Sequence, residues 1–474
     1  MWTRRELLRA VGASATLAAL SPFGCGAIAR PTSDAAGYDP DRVRDALRAA
    51  VDTLGARLAA PFGFATIRRR TRAVIDLDQR GLFVDERAIA MVGGRARDGR
   101  WLERGTDDLS PAGVARAAAE VVAVEAAGPA LAMVTRRVAR DHTAVLHDPR
   151  AVGRRTWLNE AEALAARVAS RATSRIVYRA VWLIADDDER WIVRADVDER
   201  QRAVRGRVGA TLVAWQGQRP VAGEATAAGR QVPTAAMLDD DAVARAAADA
   251  LALYTPGAAT TGATVVVLPP ELIAALLDRL LAMPALAATV TPAALLALTD
   301  EPSAAAAFGG HVVDDDGEPA RTRTIAAGGA ALAELDTGSA RRAGPRWYRT
   351  RGPTHLVLAP GSVAAAALES DLGTGLSLDG VRDLRLDPDG RLIVRPARTY
   401  EIARSQRTGR VWGDLELRAD VGDLLAAVSA VSLDRRPIAV TDDGPARGAL
   451  MPWLVTRAVI GSAAATDPVR GGGA

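Results

Sequence analysis

The sequence predicts an α+β fold in which a mixed N-terminal region precedes a β-rich C-terminal region. Before Tyr254, segments with helical periodicity alternate with runs in which every second residue is apolar. From His311 onward, short strand-like runs and glycine-containing turns dominate. The chain has 474 residues, of which 49% are hydrophobic, so it is long enough to build more than one buried core.

The first predicted helix lies in "PDRVRDALRAAVDTLGARLAA", where Val43, Leu47, Val51 and Leu54 share one face. The next stretch, "FATIRRRTRAVIDLDQRGLFVDERAIAMVGGRARDGRWLER", alternates apolar and polar residues between glycine turns and therefore predicts a strand meander. A second helix follows Ser110, whose hydroxyl suits a helix N-cap.

The middle of the chain repeats this alternation. "WLNEAEALAARVAS" predicts a helix, and the long stretch from "SRIVY" to "TAAG" predicts a second strand meander. "DDDAVARAAADALAL" predicts another helix, with aspartates at the end that the helix dipole favours. The turn-rich stretch Tyr254–Gly262 is the predicted domain boundary.

The C-terminal region begins with "ATVVVL", a predicted strand, and "PELIAALLDRLLAMP", a predicted helix. Leu272, Leu276 and Leu280, with Ile273 and Leu277 beside them, form an apolar face suited to packing under a sheet. Later, "LDPDGRL" predicts a hairpin turn, "GDLLAAVSAV" a short helix and "LVTRAVIG" a last strand.

The charges are mixed along the chain and predict no nucleic-acid partner. All 60 basic residues are arginine, and 57 acidic residues bring the net charge to +3. The densest basic run, Thr66–Arg72, is interpreted as a solvated strand or helix edge. Nucleic-acid binding calls for a broader basic face with stacking aromatic residues.

The N-terminus has the features of an export signal. Arg4 and Arg5 precede a mildly apolar run that is too short to span a bilayer. "TRRELL" resembles the twin-arginine export motif, which predicts a periplasmic or cell-envelope location. Cys25, the single cysteine, is a candidate lipidation site that would anchor the protein to the membrane; the alternative is removal with the signal. We therefore divide the chain into residues 1–30 (signal peptide), 31–255 (N-terminal α/β domain) and 262–474 (β-rich domain).

No catalytic constellation is evident in the sequence. His142 and His147 are five residues apart, so they would not converge on one face of a helix, and we interpret them as a surface pair in a turn. His311 and His355 are isolated and are interpreted as structural. Neither a G-x-S-x-G elbow, a P-loop nor a dinucleotide-binding glycine motif occurs.

The C-terminal half resembles the TldD/PmbA family, whose TldD members are zinc metallopeptidases. The resemblance is an ordered series of segments: "GATVVVLPPELIAALLDRLL", "VVDDDGEPARTRTIAAGGAALAELDTGSARRAG", "GPTHLVLAPGS", "RLIVRPARTYEIARSQRTGRVWGDLELRADVGDLLAAVSAV" and "PWLVTRAVIG". It covers about Gly262 to Gly461, and the N-terminal half agrees more weakly in pattern. In the third segment, His355 lies near a place where many members carry an asparagine.

Catalytic members carry His-Glu-x-x-x-His on the helix after the first strand, and a downstream cysteine supplies a further ligand. Placed on this sequence, the histidines fall on Asp278 and Met283 and the glutamate falls on Arg279. The small residue before the last histidine falls on Ala282, and the cysteine would fall near Val440. The resemblance therefore implies that this chain has neither catalytic residues nor a metal site, and that Arg279 puts a positive charge where the metal would lie.

This pattern is similar to that of the TldE (PmbA) branch, which lacks the zinc motif and pairs with a catalytic TldD-like subunit. The resemblance implies a non-catalytic subunit of a heterodimeric peptidase that holds unfolded peptides, with zinc only in the partner subunit. Two alternatives remain: a cell-envelope binding or scaffold protein that keeps the fold without proteolysis, and a hydrolase with a relocated site near His142 and His147.

Overall fold

The computed structural model contains two β-sheets with helices packed on them, which confirms the α+β fold class. The structure describes residues 39–77, 79–124, 137–143, 145, 147–217, 219–255, 262–304, 307–314, 317–332, 353–440 and 447–462. The proposed export residues Arg4 and Arg5 and the candidate lipidation residue Cys25 lie outside the described residues.

The first sheet has the strand order β3-β2-β1-β5-β6-β4, with β7 also paired to β6. Its pairs are antiparallel except for β4 with β6, which is parallel. The strands are β1 (Ala59–Ile75), β2 (Arg80–Arg95), β3 (Trp101–Thr106), β4 (Ala139–Thr143), β5 (Ile176–Arg194), β6 (Asp198–Gln216) and β7 (Arg219–Gly229). Both predicted meanders are therefore confirmed, and they join in one sheet.

Four helices pack on one face of this sheet. They are α1 (Pro40–Gly55), α2 (Pro111–Val124), α3 (Arg154–Arg171) and α4 (Asp240–Leu251), with a 3-10 turn at Ala235–Met237. The predicted face of α1 is buried, since Val43, Leu47, Val51 and Leu54 are at most 3% exposed. The predicted cap of α2 is also confirmed, because the Gly113 N–H donates to Ser110 Oγ at 3.1 Å.

The second sheet is mixed. Most of its pairs are antiparallel, as expected for a β-rich region, but β11 runs parallel to β19 and β12 runs parallel to β8. Its strands are β8 (Gly262–Leu268), β9 (Leu298–Asp300), β10 (Arg323–Ala326), β11 (His355–Leu358), β12 (Thr374–Asp379), β13 (Asp383–Leu386), β14 (Arg391–Arg395), β15 (Arg398–Ala403), β16 (Gln406–Trp412), β17 (Leu415–Asp420), β18 (Ala430–Val440) and β19 (Arg447–Ser462). The predicted hairpin turn joins β13 to β14, and Gly390 adopts the positive φ of 88° that the turn requires.

The helices of the C-terminal region are α5 (Pro270–Leu281), α6 (Pro284–Ala287), α7 (Ala365–Asp371) and α8 (Val421–Ala426). The five predicted apolar residues of α5 are at most 4% exposed and belong to the large core of the second sheet. Burial of such leucine and isoleucine side chains contributes on the order of 2 kcal/mol each. Among the described residues, the helices are too short or too polar to cross a lipid bilayer.

The two sheets contact each other through the segment before Asp314. Val313 packs in one apolar cluster with Phe62, Phe64 and Ile192 of the first sheet. The Gln201 amide donates to the Val313 carbonyl at 2.8 Å. The predicted domain boundary falls between the last helix of the first sheet and β8, largely outside the described residues, and it stays a prediction.

Candidate functional site

The basic run of β1 faces an acidic run of β5. The two strands are antiparallel, and their register places Arg68–Arg70 opposite Asp186–Asp188. Strand β1 lies inside the sheet, between β2 and β5, so its interpretation as a solvated edge was wrong. Opposite charges on directly facing residues stabilise this register, and a shift by one residue would turn the apolar side chains of the strand to the other face of the sheet.

Successive residues of a strand point to opposite faces, so Asp186 and Asp188 share the face away from α1–α4. We call a subset of the charged residues of this face, grouped around these two aspartates, the charge belt; its members are Arg68, Arg70, Asp186, Asp188, Arg190, Arg205, Arg207 and Arg230. Asp186 is fully buried and accepts from Arg70 at 2.7 Å and Arg207 at 3.1 Å. Asp188 accepts from Arg190 Nη2 at 2.5 Å and Arg205 Nη1 at 3.3 Å.

Burial and the oppositely charged partners act on the pKa values of these groups in opposite directions. Burial alone would raise the pKa of Asp186 and Asp188, but the guanidiniums around them hold both pKa values well below the usual range. Burial lowers the pKa of Arg205 to about 10, against the attraction of Asp188. The belt thus has fixed charges at neutral pH, with more guanidiniums than carboxylates among its members.

The second region of interest is the α5 site, defined as Asp278, Arg279, Met283, Val440 and Arg447. Asp278 Oδ1 accepts from Arg447 Nη1 of β19 at 2.6 Å, and the two side chains are only 13% and 22% exposed. Val440, the position of the family's cysteine, lies directly opposite Arg447 in the β18–β19 pair. Residues far apart in sequence therefore meet at the place that the resemblance indicates, and they form an ion pair there.

The Arg279 side chain is directed away from Asp278, and Met283 lies outside α5. The Arg279 guanidinium donates to the Leu384 carbonyl of β13, which agrees with the rule that neighbouring helix residues do not share a face. The cation that pairs with Asp278 is thus Arg447, whereas the resemblance had placed the positive charge of Arg279 at the position of the metal. Met283 lies beyond the end of α5 and precedes the first turn of α6.

The residues of the α5 site do not fit a zinc ion. Zinc sites in proteins use thiolate, imidazole and carboxylate ligands, usually four around the metal. Here the one carboxylate is held by a guanidinium, and the other positions supply a second guanidinium, a thioether and an aliphatic side chain. Within the described ranges, no three histidine, cysteine, aspartate or glutamate residues are grouped so as to hold a metal.

His355 lies near this site but on the other face of the sheet. His355 pairs with Gly448, the residue after Arg447, in the β11–β19 ladder. Because successive residues of a strand point to opposite faces, the side chains of His355 and Arg447 lie on opposite faces of the sheet. Burial lowers its pKa to about 4, and the nearby Glu301 opposes that shift only in part. His355 is therefore a neutral, structural histidine at neutral pH, since its ring is almost fully buried.

The other histidines do not assemble into a catalytic group. His142 lies on β4, not in a turn, because β4 pairs with β6; its Nε2 is 2.7 Å from Glu199 Oε2. His147 is exposed and follows this strand, as expected for a surface residue. His311 is buried at the contact between the two sheets. Sequence reasoning missed the charge belt, whose signal was the pair of equal-length runs "RRR" and "DDD".

Solved structures with the same fold include two from bacteria and one from an archaeon. TldE from Thermococcus kodakarensis aligns with a TM-score of 0.71 at 15% identity, covering 89% of this chain and 100% of that chain. A proposed DNA gyrase modulator from Thermotoga maritima aligns with a TM-score of 0.69 at 14% identity, covering 89% and 99%. Another, from Bacteroides thetaiotaomicron, aligns with a TM-score of 0.68 at 15% identity, covering 89% and 99%. No protein family model and no curated protein matches the sequence.

Proposed function

We propose that this protein is the non-catalytic, TldE-like subunit of a heterodimeric metallopeptidase that degrades unfolded peptides. The observation that supports the proposal is the α5 site: the chain has a TldE-like fold, and Asp278, on which the resemblance places a zinc-binding histidine of the catalytic members, forms an ion pair with Arg447. In this proposal the chain carries no cofactor, and zinc and the general base belong to a TldD-like partner.

The α5 site supports a structural role for this helix. Asp278 and Glu271 both form ion pairs with the β18–β19 hairpin, through Arg447 and Arg436. The Arg436 guanidinium also lies 5.0 Å from the centre of the Trp453 ring. These contacts hold both ends of the helix against the sheet. A catalytic subunit would instead need a cleft at this place for substrate and water.

The substrate would be an extended peptide that adds to an exposed strand. In the described part of the first sheet, β3 covers only Ala90–Arg95 of β2, and the outer edge of Arg80–Ile89 is left without a strand partner. Such an edge offers main-chain donors and acceptors to any extended sequence, with little selection among side chains.

The test is to purify the protein alone and together with its TldD-like partner, and to measure zinc and cleavage of an unstructured peptide. We expect neither zinc nor cleavage from the lone chain, and both from the pair. Stoichiometric zinc and strong cleavage by the lone chain would contradict the proposal. If no TldD-like protein with an intact His-Glu-x-x-x-His is encoded nearby or co-purifies, the scaffold alternative takes its place.

We further propose that the protein is exported by the twin-arginine route to the periplasm or cell envelope, on the basis of Arg4 and Arg5, and that Cys25 is a candidate for a lipid anchor. Mass spectrometry of the mature N-terminus distinguishes an acylated Cys25 from a cleaved one. An intact, cytoplasmic N-terminus that begins at Met1 would contradict the export proposal.

A further inference from the structure

A pocket of about 270 Å³ lies where the charge belt meets the second part of the chain. Residues of β4, β5 and β6 line one side, Arg230 lines another, and the segment 310–312 closes it. It is separate from the α5 site, with which it shares no lining residue. Its size is slightly below that of common small-molecule sites, which start at about 300 Å³.

The carboxylates that line this pocket already have cationic partners. Asp188 accepts from Arg190 and Arg205, and Asp141 accepts from Arg44. The Arg205 guanidinium is held in place by two more contacts, to the carbonyls of Phe308 at 2.6 Å and Gly310 at 3.2 Å. Asp188 therefore has little capacity left to neutralise another cation, and Asp141 already pairs with Arg44.

Arg230 differs from the three other arginines that line the pocket, Arg190, Arg202 and Arg205, which all have carboxylate partners. It follows β7, lines the pocket, and has no hydrogen-bond or ion-pair partner among the described residues. It is half-buried, and this burial lowers its pKa without any opposing acid. It is also close enough to Arg205 for the two guanidiniums to repel each other. A half-buried cation without a counter-charge is costly, and an anion in the pocket would offset that cost.

We infer that this pocket binds a carboxylate, held chiefly by the Arg230 guanidinium with the field of Arg205 and Arg190 behind it. A singly charged anion matches the one lining guanidinium that has no partner among the described residues. A planar carboxylate also suits the two parallel N–H donors of an arginine. The volume suits a small acid or the last residue of a peptide and excludes a folded domain.

The carboxylate has two potential sources, a peptide C-terminus and a free small acid, and both present the same chemistry. A peptide C-terminus is the source that the proposed function favours, because a subunit that holds peptides gains from a fixed anchor for one end. Only this choice of source rests on the proposed function; the binding of a carboxylate does not.

Isothermal titration calorimetry of the full chain with N-acetyl-trialanine, its C-terminal amide and acetate tests the inference. We expect the tripeptide acid to bind at least tenfold more tightly than the amide. Tighter binding of the tripeptide than of acetate identifies a peptide end, and equal binding identifies a free small acid; either result supports the carboxylate site. Equal affinity for the acid and the amide, or no binding of any of the three, would overturn it.

The matched variants are Arg230→Gln, Arg230→Lys and Arg175→Gln. We expect at least a tenfold loss for Arg230→Gln and a smaller loss for Arg230→Lys, which keeps the charge but not the paired donors. Arg175 is exposed and outside the pocket, so its change controls for net charge. Wild-type binding by Arg230→Gln would contradict the inference. The titration needs neither the partner subunit nor zinc. A negative titration would therefore overturn the carboxylate site without bearing on the peptidase proposal, which is tested by zinc content and cleavage in the pair.

Discussion

The charge belt and the α5 site both place arginine against aspartate, but they do so in different proportions. In the belt, several guanidiniums surround each carboxylate, and Arg230 has no partner among the described residues. At the α5 site, Arg447 meets Asp278 beside a helix whose inner face is leucine and isoleucine. A locally neutral pair on an apolar core is suited to holding a helix, whereas a cationic excess beside a pocket is suited to binding an anion.

The largest effect is expected from removing a carboxylate of the belt. Asp186→Ala removes the buried carboxylate that Arg70 and Arg207 share, and loss of one partner of a buried pair costs about 3–5 kcal/mol. Chemical denaturation measures this loss. The matched control is Asp383→Ala, which breaks an exposed pair with Arg385 and should cost less than about 1 kcal/mol. Similar losses for the two variants would show that the belt contributes no more than a surface pair.

The second prediction concerns the pH dependence of stability, to which His355 and the acids of the belt contribute in different pH ranges. The pKa of His355 is lowered from 6.5 to about 4 in the folded protein, so the unfolded chain binds more protons between these values. Stability should therefore fall by roughly 3 kcal/mol as pH drops from above 6.5 to 4, at about 1.4 kcal/mol per unit. The acids of the belt, whose folded pKa values are depressed, keep their full contribution above about pH 4 and lose it as pH falls further.

Measurement of the unfolding free energy from pH 7.5 to 4.5, in the wild type and in His355→Asn, checks this assignment. The variant should lose most of the slope in that window, because asparagine does not titrate. An unchanged slope would assign the pH dependence to other groups.

A moderate effect is expected at the α5 site. Asp278→Leu should cost about 1–3 kcal/mol, because it leaves the half-buried Arg447 without its carboxylate. The double variant Asp278→Leu/Arg447→Met should recover much of this loss, since both charges are then gone. Additive losses in this cycle, measured by denaturation, would show that the two residues do not interact.

The smallest effect on stability is expected for the residue that the pocket proposal makes most important for binding. Arg230→Gln removes a cation with no described partner, so the unfolding free energy should change by no more than about 0.5 kcal/mol. Arg207→Gln, in the same belt, breaks the contact with buried Asp186 and should cost several times more. Equal losses would mean that Arg230 also supports the fold.

The elements of the fold could be predicted because their signals are local. The apolar face of α5, the cap at Ser110 and the turn at Gly390 each depend on residues a few positions apart. The ion-pair partners that lie far apart in sequence could not be predicted in this way. Arg447 is 169 positions from Asp278, and Arg70 is 116 positions from Asp186. Only the register of paired strands brings such residues together, and a single sequence contains no direct signal for it.

The position of the α5 site illustrates the same limit. The resemblance indicated where Asp278, Met283 and Val440 fall, and the sheet does place Val440 beside the partner of Asp278. The identity of the cation was wrong, because helix geometry sends Arg279 toward β13 and strand register supplies Arg447 instead. Composition and periodicity do not reveal that Arg447, rather than Arg279, is the cation at this site.

The central claim, that this chain supports a peptidase without cutting, is tested most directly in the assembled pair. Cleavage of an unstructured peptide would be compared for two complexes, one with Asp278→Ala in this chain and one with glutamine for the base glutamate of the partner's His-Glu-x-x-x-His motif. The account predicts that the first complex keeps cleavage and zinc close to wild-type levels, and that the second loses cleavage. Loss of zinc and cleavage in the first complex, with an intact fold, would contradict it.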